Sequence, residues 1–203
     1  GDVYKRQDGM GSHRMVTKQV SFYEEMTNVP FIIAGPGIHP RQKPVEDLLT
    51  QPTIDLLPTL CELAGIPVPS SKPGISLAPF LKGEKQKRQH PYAASEWHSE
   101  YEVTVSPGRM IRSPRYKYTH YLEGNGEELY DMLKDKGERR NLAHDPKYSK
   151  ILAEHRALLD DYIRRTQDDY RSLKVEADKR WRSHAPGYPN HEGPCARDII
   201  NRK

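Results

Sequence analysis

Three groups of side chains in this 203-residue sequence have types and spacing that could act on an anion. His13 and Lys18 stand five residues apart in one polar stretch. A lysine ammonium is a compact point charge with three donors, although most lysines simply lie in solvent. Glu96, Trp97 and His98 are consecutive, and an indole between two polar groups could stack on a sugar ring. Such a cluster at the end of a strand can equally well pack locally. Arg109, Arg112, Arg115 and Lys117 form a basic group across an expected hairpin. They could bind a polyanionic glycan, but strand edges are also commonly guarded with charge.

Other chemistries find less support. The two cysteines, Cys61 and Cys195, make neither a CxxC pair nor a metal pattern. Cys61 reads as a small core residue on the apolar side of a helix. Cys195 lies in a Gly/Pro-rich tail, and a disulfide between the two is neither supported nor ruled out by their separation. The formal charge is +4. Lys5 and Arg6 against Asp2 supply one unit of it, leaving about +3, scattered among acids. A nucleic-acid surface calls for a clustered basic stripe, so no nucleic-acid partner is expected. Mean hydropathy is −0.88, and no apolar run approaches the length of a bilayer span. The length allows one domain or one and a half.

The elements that must hold these residues follow from periodicity. Residues 8–28 read as a loop and a short helical turn in which Glu24 and Glu25 are salt-bridge formers. Val29 to Ala34 is a continuous apolar run before Gly35-Pro36-Gly37, which suits a buried strand of a mainly parallel sheet. A helix starts near Pro52 at its first position, with Ile54, Leu57, Leu60, Cys61 and Ala64 on one side to pack on that sheet. Pro58 should kink it, and Gly65 should end it. The polar stretch Lys82 to Gln89 reads as a boundary. Beyond it, Tyr92–Trp97, Arg109–Arg112, Tyr116–Tyr121 and Glu128–Met132 read as antiparallel strands. Tyr116, Tyr118 and His120 face one way, and Lys117, Thr119 and Tyr121 the other. A long helix should run from about Pro146 to Gln167, capped by Asp145, with one apolar stripe from Ile151 to Ile163 that includes His155 as a core or edge residue. This divides the chain into 8–85, a small α+β unit at 86–167, and an irregular extension at 168–203.

Four strings, in order, carry a family resemblance: HRMVTKQVSFYEEMTNVPFIIAGPG (13–37), QPTIDLLPTLCELAGIPVP (51–69), MIRSPRYKYTHY (110–121) and ELYDMLKDKGERRNLA (128–143). From about Asp8 to Ile163 the chain resembles the type I, formylglycine-dependent sulfatases. The resemblance implies an α/β, alkaline-phosphatase-like fold. This chain would supply the last strand–helix unit of the main sheet and a C-terminal antiparallel four-stranded subdomain with one long helix. It also implies sulfate ester hydrolysis, on a sulfated small molecule or glycan, in the periplasm or outside the cell. In the family a formylglycine hydrate attacks sulfur, a calcium ion and basic groups hold the developing charge, and a histidine protonates the leaving oxygen.

Carried over by position, Lys18 matches the lysine that contacts the sulfate. His13 matches a histidine that touches the sulfate or leaving group, or holds the loop. Glu96, Trp97 and His98 fall where family members vary residues that meet the rest of the substrate. Residues 1–7, GDVYKRQ, resemble a translated sequencing adapter, a contaminant of metagenomic reading frames. They stand where the family usually has Ser-Asp-His-Gly, and Lys5 and Arg6 cannot replace hard oxygen ligands of calcium. Neither cysteine lies in Cys-x-Pro/Ala-x-Arg, the motif converted to formylglycine. The calcium ligands and the nucleophile are thus expected upstream, and a chain without them is expected to be inactive alone. Two alternatives remain at this level: a phosphodiesterase or phosphonate hydrolase of the same superfamily, and a non-catalytic glycan-binding module.

Overall fold

The structure, a computed structural model, describes residues 13, 21–40, 45, 48–70, 73–85, 90–97, 107–122 and 126–173. In chain order these hold α1 (Glu24–Thr27), α2 (Pro52–Leu63), α3 (Ala78–Leu81), β1 (Ala93–Trp97), β2 (Gly108–Arg112), β3 (Tyr116–Tyr121), β4 (Glu127–Asp131) and α4 (Ser149–Thr166).

Residues of alternating character build the sheet. β1 to β4 form an antiparallel meander in the order β1-β2-β3-β4. The register sets Ala94 opposite Ile111, and Ile111 opposite Tyr118, on one face. Tyr118 in turn lies opposite Leu129. That face takes α4: Leu152 and Leu159 pack with Tyr92, Ile111, Tyr118, Leu129 and Leu142. Successive strand residues point to opposite faces, so Met110, Arg112, Lys117, Thr119 and Tyr121 lie on the other side. The expected division of β3 into two faces is what the chain adopts.

The ends of α4 also follow from local chemistry. The Asp145 side chain accepts a hydrogen bond from the Lys147 N–H at 3.1 Å, capping a 3-10 turn at Pro146–Tyr148 that runs into α4. Gln167 terminates α4 in the left-handed region at φ +54°. His155 is buried in the stripe, as expected of a core residue. Its Nδ1 donates to the Ile151 carbonyl at 2.8 Å, which leaves Nε2 to accept from the Ser113 hydroxyl at 2.9 Å. The packing continues past 167. Asp168 pairs with Arg109 at 2.6 Å, and Tyr170 is fully buried, its hydroxyl 2.7 Å from His120 Nδ1.

The N-terminal half departs from expectation. α2 forms from Pro52 and closes in a Schellman turn: Gly65 takes φ +69°, and the Ile66 N–H donates to the Cys61 carbonyl at 2.8 Å. Its expected apolar side is exposed, however, with Leu57 at 45% and Leu60 at 50%. The buried side is instead Asp55, Pro58 and Thr59. Asp55 accepts from the backbone N–H of Gln51 at 2.7 Å and of Ile75 at 2.8 Å, and lies 2.7 Å from His90 Nε2. The run Val29 to Ala34 forms no strand, and Ile32 is exposed. The reason is common to both segments. A parallel-sheet strand and its covering helix need neighbouring strands, and among the described residues the four strands pair only with one another.

Candidate functional site

The face of the sheet opposite α4 is where the segment after His13 and Lys18 docks. Phe22 packs with Met110 and Tyr121 there, with Trp97 beside them. Gly108 makes this approach possible, because a Cβ at that position would lie 2.6 Å from Phe22 Cε2. Two residues on, the contact becomes ionic. Lys117 is 1% exposed, and its ammonium lies 2.8 Å from Glu24 Oε1 and 2.9 Å from Glu138 Oε1. The Glu24 N–H donates to Glu138 Oε2 at 2.7 Å, closing the triangle. Arg112 Nε stands 3.7 Å from the same Glu24 oxygen. Burial pushes the Glu138 carboxyl above its ordinary range, against the pull of Lys117. Glu138 also holds φ +49°, a left-handed conformation that costs a side-chain-bearing residue about 1 kcal/mol and persists where its surroundings over-determine it.

His13 belongs to this face. Its ring stacks on Tyr23 at 3.6 Å between centroids and 3° between planes. Its Nε2 is 4.0 Å from Glu25 Oε2. Burial lowers its pKa below the usual imidazole range, with Glu25 pulling the other way. The stack joins residues 13 and 23, and Lys18 is the midpoint of the sequence between them. Lys18 itself lies outside the described residues, as does His98. Glu96 and Trp97 are separated by strand alternation. Glu96 faces α4 and accepts from the Tyr162 hydroxyl at 2.5 Å. Trp97 faces the Phe22 side, with its indole nitrogen buried and without a hydrogen-bond partner among the described residues. The structure thus brings Trp97 and His13 onto the face that docks residues 21–27, and turns Glu96 away.

The basic group resolves into ion pairs within the chain. Arg109 forks onto Asp168, its Nε 2.6 Å and Nη2 2.9 Å from the two carboxylate oxygens. Arg115 pairs with Asp131 at 2.7 Å, and Arg112 and Lys117 serve Glu24 as described. Its cations are committed to holding the subdomain together. Sequence reasoning missed Lys117, Glu24 and Glu138 as a unit. The signals present were Glu24 as a salt-bridge former and a lysine alternating with tyrosines in β3, and nothing in the sequence joined them to each other or to Glu138.

His13, Glu25 and Glu138 place one ligand atom each within 4.8 Å of one another. They do not fit a calcium ion, which takes six to eight oxygens. Both Glu138 oxygens already serve Lys117 and the Glu24 N–H, and the ammonium adds a positive charge beside the cluster.

With this geometry in hand, comparison with known proteins is decisive for the family. The family model described as N-sulphoglucosamine sulphohydrolase, C-terminal, matches residues 11–165. The chain belongs to this family of sulfatases, whose members generally use a formylglycine and a divalent metal. It is 76% identical over 196 residues to the Delta 4,5-hexuronate-2-O-sulfatase of Bacteroides thetaiotaomicron, covering 97% of this chain and 41% of that protein. It is 34% identical over 140 residues to arylsulfatase K of Homo sapiens, covering 64% of this chain and 25% of that one. Among solved structures it is similar to BT1596, a 2-O GAG sulfatase, with a TM-score of 0.81 and 77% identity over 95% of this chain and 42% of the other. The chain thus spans about two fifths of the hexuronate sulfatase it matches. Such neighbours have the alkaline-phosphatase-like fold, and the four-stranded sheet with α4 is its C-terminal subdomain.

Proposed function

We propose that this chain is the C-terminal portion of a sulfatase that removes the 2-O-sulfate from an unsaturated hexuronate at the end of a glycosaminoglycan fragment. The 76% identity over nearly the whole chain to a hexuronate-2-O-sulfatase carries this reading. The remainder of the protein would supply the formylglycine nucleophile and a calcium ion. Neither cysteine here stands in the required motif, and no cluster among the described residues suits calcium.

Within that reading, this chain's part is to bind and orient. The Lys18 ammonium offers the sulfate a point charge and three donors, which helps most as charge develops on the sulfuryl oxygens. His13 stacks on Tyr23, and Lys18 falls midway between them in the sequence. Trp97 offers an aromatic face to the sugar ring, with His98 next to it. Glu96 is the weakest of the substrate candidates, because Tyr162 holds its carboxylate on the α4 side. Export to the periplasm or beyond is part of the same proposal, and cell fractionation tests it.

The test of substrate is direct. The full-length protein, carrying its formylglycine, is offered unsaturated disaccharides sulfated at the uronate 2-O, the glucosamine 6-O or the glucosamine nitrogen. The proposal expects sulfate release from the first alone. Release from either of the others, with none from the 2-O-sulfated sugar, overturns it.

A further inference from the structure

We propose that the turn at residues 133–140, between β4 and α4, is a binding surface for a sulfated glycan chain. This rests on the sulfatase reading above and adds to it a place on this chain that holds the polyanion. The sequence there, LKDKGERR, carries four cations against two acids, and the fold separates the two signs. Glu138 is 3% exposed and turns inward onto Lys117 at 2.9 Å. Asp135 is half-buried, and its Oδ2 accepts from the backbone N–H groups of Arg139 and Arg140, each at 2.9 Å. Lys134, Lys136, Arg139 and Arg140 are all exposed. Lys134 and Arg139 pair with no carboxylate among the described residues. Arg140 reaches Asp145 at 3.2 Å but stays 75% exposed, and a pair so open to water is worth little.

The backbone of the turn holds its shape without the charged ends of these four side chains. The N–H groups of Lys134 and Asp135 both donate to the Asp131 carbonyl, at 3.0 and 2.7 Å, and the Glu138 N–H donates to the Asp135 carbonyl at 3.1 Å. Glu138 is anchored on the buried Lys117 and carries φ +49°. The cations are thus presented from a fixed frame, which lowers the cost of ordering on binding. The hairpin cations differ. Arg109, Arg112, Arg115 and Lys117 already have carboxylates of this chain as partners, and a polyanion would have to displace them. A glycan with sulfates and carboxylates on successive sugars brings several anions to one turn. The arginine fork suits a planar carboxylate, and the lysine ammonium acts on a sulfate as a point charge. A nucleic-acid duplex calls for a longer basic stripe, and a membrane surface for an amphipathic helix.

Binding of a fluorescent heparin octasaccharide by the full-length protein tests the surface. The octasaccharide is prepared with a saturated terminal uronate, so that the proposed reaction does not consume it. Lys134→Ser with Arg139→Ser should weaken binding by about tenfold or more and make it less sensitive to salt, because exposed cations act through screened charge. Lys147→Ser with Lys150→Ser removes the same charge from exposed positions around the start of α4 and should leave binding within about twofold. All four side chains are exposed, so both variants should keep the wild-type thermal midpoint. Four results overturn the proposal: no binding by the wild type, no weakening by the first pair, equal weakening by the two pairs, or a DNA duplex or anionic lipid vesicles held as tightly through the same two residues. Sulfate release from the unsaturated disaccharide is measured separately. A protein that binds the octasaccharide through this turn but releases no sulfate would count against the sulfatase reading and leave the surface standing.

Discussion

The ammonium of Lys117 and the imidazoles of His13, His120 and His155 are enclosed by this small fold, and each enclosure has a consequence in solution. Burial lowers the pKa of all three histidines below the ordinary 6.5, with burial the largest cause in each. The unfolded chain therefore takes up these protons first. The stability the histidines allow is complete above pH 6.5 and declines as pH falls towards their folded values. Each contributes a limiting slope of about 1.4 kcal/mol per pH unit. Asp131 and Glu127 are held below their ordinary range, by Arg115 and Arg156 respectively, and extend the loss to lower pH. Glu138 opposes them, because its raised pKa lets the folded state bind a proton early. The net expectation is that the thermal midpoint falls between pH 7.5 and 5.5, and that His155→Gln flattens this dependence. A midpoint independent of pH across that range contradicts the burial argument. At this scale the sequence was only partly legible. His155 announced itself by its place in an apolar stripe. The Lys117 triangle did not, because its partners stand 93 residues before and 21 after it, and no local period links them.

Elements with their own period could be read directly. α4 shows its stripe and its Asp145 cap, β3 shows its alternation, and Ser113-Pro114-Arg115 marks the hairpin between β2 and β3. Those features depend on near neighbours in the chain. The exposed sides of α2 and of Val29–Ala34 depend on partners in a larger sheet, so the sequence pattern pointed to a packing that the described residues do not make. The end of α4 offers a clean test of local energetics. Gln167 holds φ +54°, a position that glycine occupies without a Cβ penalty. Gln167→Gly should stabilise the subdomain by about 0.5–1 kcal/mol in chemical denaturation. A destabilised variant would mean that the Gln167 side chain makes a contact worth more than the strain it carries.

Taken whole, the molecule is a finished C-terminal subdomain joined to an unfinished layer. Leu56, Leu57, Leu60, Ile66 and Val68 are all exposed on or just after α2, a group of the kind that soluble proteins normally cover. The 203-residue chain produced by itself should therefore self-associate. Leu57→Glu with Leu60→Glu should shift it towards monomer in light scattering while leaving the α4 subdomain folded. A wild-type chain that remains monomeric at high concentration would contradict this. None of the described helices is long and apolar enough to cross a membrane. The order of the four sequence strings identified the family, because it samples the whole chain rather than one site. The nucleophile could not be read, since neither Cys61 nor Cys195 stands in the motif that the resembled family converts to formylglycine. The central claim is best tested by sulfate release from an unsaturated 2-O-sulfated disaccharide, using full-length protein with and without Lys18→Ala. The account predicts release by the wild type and a loss of about a hundredfold in kcat/KM for the variant, the scale of removing one group that stabilises transition-state charge. Wild-type protein that leaves the 2-O-sulfate in place, or a Lys18→Ala variant as active as wild type, would contradict it.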